Sequence, residues 1–199
     1  MAKFQNKYRS ESARAQWWDY GNEGAYFITI CTKNREHFFG EIINGIMHLS
    51  PIGEIVNNEW NISFDIRTEL FCDTFVIMPN HIHAIVRINY DTVGTTHGGG
   101  TVGTHGRASL QRQTQLSDNI GIAYRSPKSI SSFVAGFKSA STKRINQYRH
   151  SPKMPVWQPR FHDHIIRNEI EYQRIHNYIV NNPVKWEKDT LFKNKNYDE

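Results

Sequence analysis

From His81 to Ile88 the chain alternates with a period of two, so that Ile82, Ala84, Val86 and Ile88 fall on one face of an extended strand. That row is apolar throughout and has to be covered by helices. His81 and His83 share the opposite face, roughly 6.5 to 7 Å apart along the strand. Two imidazoles at that separation can converge on one divalent cation if a third ligand arrives from elsewhere. The alternative is two half-exposed histidines on an open sheet face.

The neighbouring segments supply a sheet for this strand. Pro79-Asn80 marks a tight turn before it, and Glu69 to Met78, apolar around Phe71, Phe75, Val76 and Ile77, completes a hairpin. Ala25 to Thr32 (AYFITICT) is rich in β-branched and aromatic residues and ends in the polar cluster Lys33 to Arg35. Ser50-Pro51 offers an N-cap followed by proline at the first helical position, and Ile52, Ile55, Val56 and Trp60 continue at helical spacing. That spacing resumes at Ile130, Phe133, Val134 and Phe137, with Lys138, Lys143 and Arg144 on the other faces. Trp157 to Arg167 holds a loop and a short strand. Glu169 to Asn181 is a last helix with Tyr172, Ile175 and Ile179 on one stripe, and Pro183 biases Asn182 out of helical geometry. The order β-α-β-β-α-β plus a helix predicts an α+β fold: a ferredoxin-like or RNA-recognition-like antiparallel sheet with helices on one face.

With 199 residues the chain has the length of one domain, 1–199. Periodicity vanishes between about 89 and 125, where Thr-Val-Gly-Thr-Thr-His-Gly at 92–98 recurs one threonine shorter at 101–106. This Gly/Thr-rich insertion costs too much backbone entropy to pack regularly and is expected to be a mobile loop, with His97 and His105 exposed and not ligands. A loop that grips DNA is the other reading. A mean hydropathy of −0.62, with no long apolar run and no secretory leader, points to a cytoplasmic protein with no membrane partner. Cys31 and Cys72 suit a reducing compartment as buried small hydrophobes. From Arg107 to Arg160 there are ten Lys/Arg against one acid, Asp118. Such a segment is either an electrostatic footprint for a phosphate backbone or a solvated face.

The last helix places Tyr178 on the edge of its apolar stripe, about 60° from Ile175 at ~100° per residue, beside Glu171, Arg174 and Asn182. A tyrosine there is either a core-edge aromatic or a functional phenol. At this point the chain resembles the single-tyrosine HUH (IS200-like) transposases, in particular the REP-associated tyrosine transposases. The likeness runs from about Ala25 to Trp186. Its landmarks are Phe27-Ile28-Thr29, Val76 to His83 (VIMPNHIH), Phe137-Lys138, Trp157 to Phe161 (WQPRF), His164 with Arg167, and Tyr178 to Pro183 (YIVNNP).

The resemblance implies metal-dependent cutting and rejoining of single-stranded DNA at hairpin-associated sites, by a monomer or homodimer, in the cytoplasm at the nucleoid. Tyr178 would be the nucleophile, leaving a 5′-phosphotyrosine link and a free 3′-hydroxyl. His81 and His83 would hold Mg²⁺ or Mn²⁺, with Asn182, four residues after the tyrosine, as a third, amide ligand. Lys138, Lys143, Arg144, Arg160, His164 and Arg167 would contact DNA, and Trp157 or Phe161 would stack an unpaired base, core packing being the other reading of Trp157. His164 is favoured over His162 for a part at the site. Two rivals remain at this stage: a non-catalytic nucleic-acid-binding module, and a phosphodiesterase that uses water and leaves Tyr178 a bystander. The first should carry exposed aromatics on its central strands, where this chain has His81, His83 and Arg87.

Overall fold

A computed structural model describes residues 3–4, 7–8, 21–90 and 127–192. The expected mobile loop, with His97 and His105, lies outside the described residues. Along the chain run β1 (Lys3–Phe4), β2 (Lys7–Tyr8), β3 (Gly24–Cys31), β4 (Gly40–Ile43), β5 (Ile46–Leu49), α1 (Pro51–Asp65), β6 (Leu70–Met78), β7 (His81–Ile88), α2 (Ile130–Tyr148), β8 (His162–Ile166) and α3 (Glu169–Val180). A 3-10 turn, Pro183–Lys188, follows α3.

The main sheet has the order β6-β7-β3-β8, every pair antiparallel. With α1 and α2 as its crossovers this is the expected ferredoxin-like sheet. Register sets the two faces: Ile82 lies opposite Ile30 and Ala84 opposite Ile28, whereas His83 lies opposite Thr29 and His81 opposite Cys31. The first set, with Tyr26, Val86 and Ile88, is buried beneath α1 and α2. Trp60 of α1 is fully buried at the centre of that layer, its ring 5.2 to 5.6 Å from those of Phe64, Phe75, Phe133 and Phe137. Aromatic pairs at such separations add about 0.5–1.5 kcal/mol each beyond area burial.

The helices start where side chains can cap them. Ser50 Oγ accepts from the Gly53 N–H and donates to Phe38 O, Ser129 and Ser132 form a capping box, and Asn168 Oδ1 accepts from the Glu171 N–H. The third helix packs on the other side of the sheet, where Ile175 and Ile179 meet Ile85 amid Phe27, Val76 and Tyr172. Tyr172 also donates to Asp73, which holds Arg87, so α3 is pinned to the β6–β7 hairpin.

Between β3 and α1 lies a β4–β5 hairpin that is not among the expected elements. Its turn, Asn44-Gly45, has φ of 52° and 75°, the left-handed pair that a two-residue hairpin needs. Asn182 also departs from expectation. At φ −60° and ψ −42° it stays helical, because proline disfavours but does not forbid that geometry and the chain turns directly into the 3-10 segment. The cysteines are half-buried and unpaired. No helix among the described residues is long and apolar enough to cross a membrane.

Gly53 tests how closely the β4–β5 hairpin and α1 fit. Alanine would gain about 1 kcal/mol of helix propensity, but its Cβ would lie 2.1 Å from Phe39 O and 3.1 Å from Leu49 Cδ2. Gly53→Ala is therefore expected to lower the melting temperature by at least about 4 °C. An unchanged or raised melting temperature in a thermal scan would show that the contact yields freely.

Candidate active site

The histidine face of the sheet is roofed by α3 and by the segment that follows it. His81 and His83 are 0% and 3% exposed, not half-exposed, and their ring centroids converge to 4.4 Å. Trp186 of the 3-10 turn lies 5.9 Å from the His81 ring and Phe27 of β3 lies 5.3 Å from the His83 ring. Phe27 is thus an aromatic on a central strand of this face, half-buried against the His83 and Tyr178 rings.

Each imidazole is held at Nδ1. Asn80 Nδ2 donates to Arg35 O at 3.2 Å and to Leu191 O at 2.9 Å, which turns Oδ1 toward His81 Nδ1 at 2.8 Å. Only a protonated Nδ1 can donate to that oxygen, so His81 Nε2 carries a lone pair. It is buried and has no hydrogen-bond partner among the described residues. His83 Nδ1 lies 2.8 Å from Thr29 Oγ1, leaving its Nε2 turned to the same space. Burial drives the His81 pKa well below its usual value and lowers that of His83 to about 4, against a smaller opposing effect of Asp189. Both rings are therefore neutral near pH 7, the form that ligates metals.

Tyr178, 43% exposed, brings its hydroxyl 3.1 Å from His83 Nε2, and the hydroxyl donates to Asp189 Oδ2 at 3.2 Å. Asn182 Nδ2 donates to the same carboxylate oxygen at 2.9 Å, and the Leu191 N–H donates to Oδ1 at 2.6 Å. Burial and the Asp189 carboxylate raise the phenol to about 12, so without a compensating cation it stays protonated.

One ligand atom each from His81, His83 and Asp189 lie within 4.8 Å of one another. Asn182 Oδ1 is buried nearby without a partner among the described residues. Two neutral imidazoles, a carboxylate and an amide oxygen, two of these atoms orphaned, form a donor set suited to a divalent cation. Asp189 was missed from sequence because no periodicity links it to the helix; it reaches the site only through the 3-10 turn. Thr29 and Asn80 stood in the resemblance motifs without a role.

Other expected site residues are placed elsewhere. Trp157 is 7% exposed in the core, ringed by Phe39 and Phe137, with Nε1 donating to Ser141 Oγ, so its face cannot stack a base. The Lys138 amine turns inward to Gln158 O and Arg160 O, and burial lowers its pKa to about 8. Arg144 pairs with buried Glu59 across α1 and α2, and Lys143 is exposed on the same helix. As α2 covers the side of the sheet remote from Tyr178, these two cations do not converge on the histidines. His164 shares the face of the histidines but bonds Glu171 at 2.8 Å, outside the possible ligand set. Arg160 and Arg167 are exposed at either end of the stretch that carries β8.

This sheet order, with a tyrosine helix over a histidine pair, is an arrangement with a likeness in fold among solved proteins. A solved REP-associated tyrosine transposase bound to a REP hairpin superposes with a TM-score of 0.54 over 88% of this chain and 74% of its own, at 18% identity. No family model matches the chain. A Haemophilus influenzae protein described as uncharacterized is 37% identical over 182 residues, 91% of this chain and 92% of that protein. The chain belongs to the family of that Haemophilus protein.

Two measurements probe the centre. The unfolded chain takes up a proton at His83 near pH 6.5 while the folded one resists until about pH 4. Its stabilising effect is therefore complete above 6.5 and lost as pH falls through that window, on the order of 3 kcal/mol in all. Melting temperature should decline between pH 6.5 and 4, less steeply in His83→Gln; equal slopes would contradict the buried neutral ring. Separately, Asn80→Ala should weaken Mn²⁺ binding about 10–100-fold by calorimetry, because the His81 tautomer is no longer held. Unaltered affinity would show that Asn80 does not orient the ligand.

Proposed function

We propose that this protein is a transposase-type enzyme that cuts and rejoins single-stranded DNA through a phosphotyrosine intermediate. The observation that carries the reading is the Tyr178 hydroxyl 3.1 Å from Nε2 of the buried, neutral His83. Tyr178 Oη attacks the scissile phosphorus, the P–O3′ bond breaks, and the 3′-oxygen leaves as a hydroxyl after taking a proton. The phenolic proton has an acceptor in range in Asp189 Oδ2. The phosphodiester energy stays in the P–O–Tyr link, so the 3′-hydroxyl of the same or another strand can reverse the reaction without a cofactor that supplies energy.

His81, His83 and Asp189 would hold Mg²⁺ or Mn²⁺, with Asn182 Oδ1 as a further oxygen donor. When bound, such a cation neutralises charge developing on the phosphate and offsets the carboxylate that keeps the phenol protonated. The residues around it do the positioning. Asn80 and Thr29 orient the rings, Trp186 covers His81 from water, and Phe27 sets the angle of Tyr178 by an edge-on contact at 6.1 Å. The DNA partner is supported by the likeness in fold to a transposase bound to a hairpin; exposed Arg160, before the end of β8 that pairs beside His83, and exposed Arg167, at its far end, are cations that would meet a strand. A phosphodiesterase that uses water would need no tyrosine over the histidines, which is why transfer is preferred to hydrolysis.

The test is incubation with single-stranded hairpin oligonucleotides and Mn²⁺, followed by mass spectrometry. Wild-type protein should yield a 5′-linked peptide containing Tyr178. Tyr178→Phe should lose adduct and cleavage together while retaining DNA binding, and Asp189→Ala should lose most cleavage with Tyr178 intact. Cleavage surviving in Tyr178→Phe would assign the chemistry to water.

A further inference from the structure

At the edge of this site lies an open cavity of about 480 Å³ lined by Lys33, Asn34, Gln158, Pro159 and Arg160. None of these residues takes part in the chemistry above. We propose that this cavity receives one nucleotide of the DNA strand beside the scissile phosphate and selects its base. The inference rests on the strand-transfer reading and deepens it by naming where sequence is read.

The cavity is coupled to the histidines by the backbone. β3 ends at Cys31, the register partner of His81, and the Thr32 N–H then donates to Asn80 O at 2.9 Å. Two residues after Lys33 the chain returns to the same asparagine, for Arg35 O accepts from Asn80 Nδ2, whose Oδ1 holds His81. A nucleotide seated against Lys33 and Asn34 would thus adjoin the wall that orients a metal ligand.

The walls are preorganised. The Lys33 N–H donates to Val156 O at 2.7 Å, and the Gln158 N–H donates to Cys31 O at 2.9 Å. From beneath, the Lys138 amine fixes Gln158 O and Arg160 O, and buried Trp157 anchors the loop between them. Asn34 and Arg35 both sit in the left-handed region, at φ 56° and 57°. For arginine that costs about 1–2 kcal/mol, and the strain holds the exposed Asn34 side chain at the cavity rather than in the core.

The lining matches a nucleotide in chemistry as well as size. Pockets of about 300–1,000 Å³ suit small organic ligands. Two amides, Asn34 and Gln158, each offer a donor and an acceptor, the combination that reads a base edge. Lys33 and Arg160 supply cations for the adjoining phosphates, the Lys138 amine lies under the loop, and no acid lines the cavity. Pro159 contributes an apolar surface.

Fluorescence anisotropy with labelled dA, dC and dT 12-mers in EDTA tests this apart from catalysis. Wild-type protein should bind one base several-fold more tightly. The double variant Asn34→Ala/Gln158→Ala should bring the three affinities within about twofold while the slope of log Kd against log salt is unchanged. Lys33→Ala/Arg160→Ala should keep the base ranking and reduce the slope by about 0.7 for each phosphate no longer neutralised. Wild-type preference and slope in both variants would overturn the cavity proposal alone, leaving a Tyr178 adduct to stand. Failure of the wild-type protein to bind any of these strands or the hairpin substrates would overturn the DNA reading and the cavity with it.

Discussion

The register of β7 between β3 and β6 is the constraint on which everything else rests. A slip of one residue would drive two imidazoles under Trp60 and expose Ile82, Ala84 and Val86 beneath α3. Burying polar rings in an apolar layer without partners costs several kcal/mol, so the helix layer and the histidine layer select the same pairing independently. The residues opposite are matched to the need: Thr29 stands across from His83, and the turn residue Asn80 reaches His81. The strand that builds the core is thereby also the strand that aims the ligand atoms.

The second half of the site comes from a chain segment with little core of its own. Trp186 and Phe192 pack edge-on at 5.2 Å, and Asp189 stays in place by collecting bonds from Tyr178, Asn182 and the Leu191 N–H. A carboxylate receiving three donors is a fixed charge, and its position beside a phenol raised to about 12 holds that phenol in its neutral form. A cation held by His81, His83 and Asp189 would therefore be linked to the acidity of the phenol through one side chain. Any cation that draws charge from Asp189 also relieves the phenol of part of its burden.

Much of this was legible in the residues. The period-two pattern of β7, the Ser50-Pro51 start of α1 and the helical spacing of α2 and α3 carry the order of elements, while the tyrosine helix over the histidine face was an expectation of the resemblance. The Asn-Gly turn at 44–45 carried a strong hairpin signal and was passed over because Ile42, Ile43 and Ile46 make too short a run to attract notice. Asp189 was beyond reach: its partners lie seven and eleven residues back, and only the direct turn from α3 into the 3-10 segment unites them. The cations of α2 were misplaced for a different reason. Helical spacing tells which residues share a face, but not that Arg144 has a buried Glu59 to satisfy or that Lys138 is short of water.

The crossover from β7 to α2 leaves the sheet at Ile88, seven residues along the strand from His81, or about 23 Å at 3.3 Å per residue. There the Tyr90 hydroxyl donates to both Gly21 O and Lys128 O, tying the two ends of the 91–126 stretch to one another and to the start of β3. The clasp sets where the chain leaves β7 and where it enters α2, and it does so about a strand's length from His81. A change that loosens it would act first on the seam between the start of β3 and the start of α2, and would reach the imidazoles only through the strand they share.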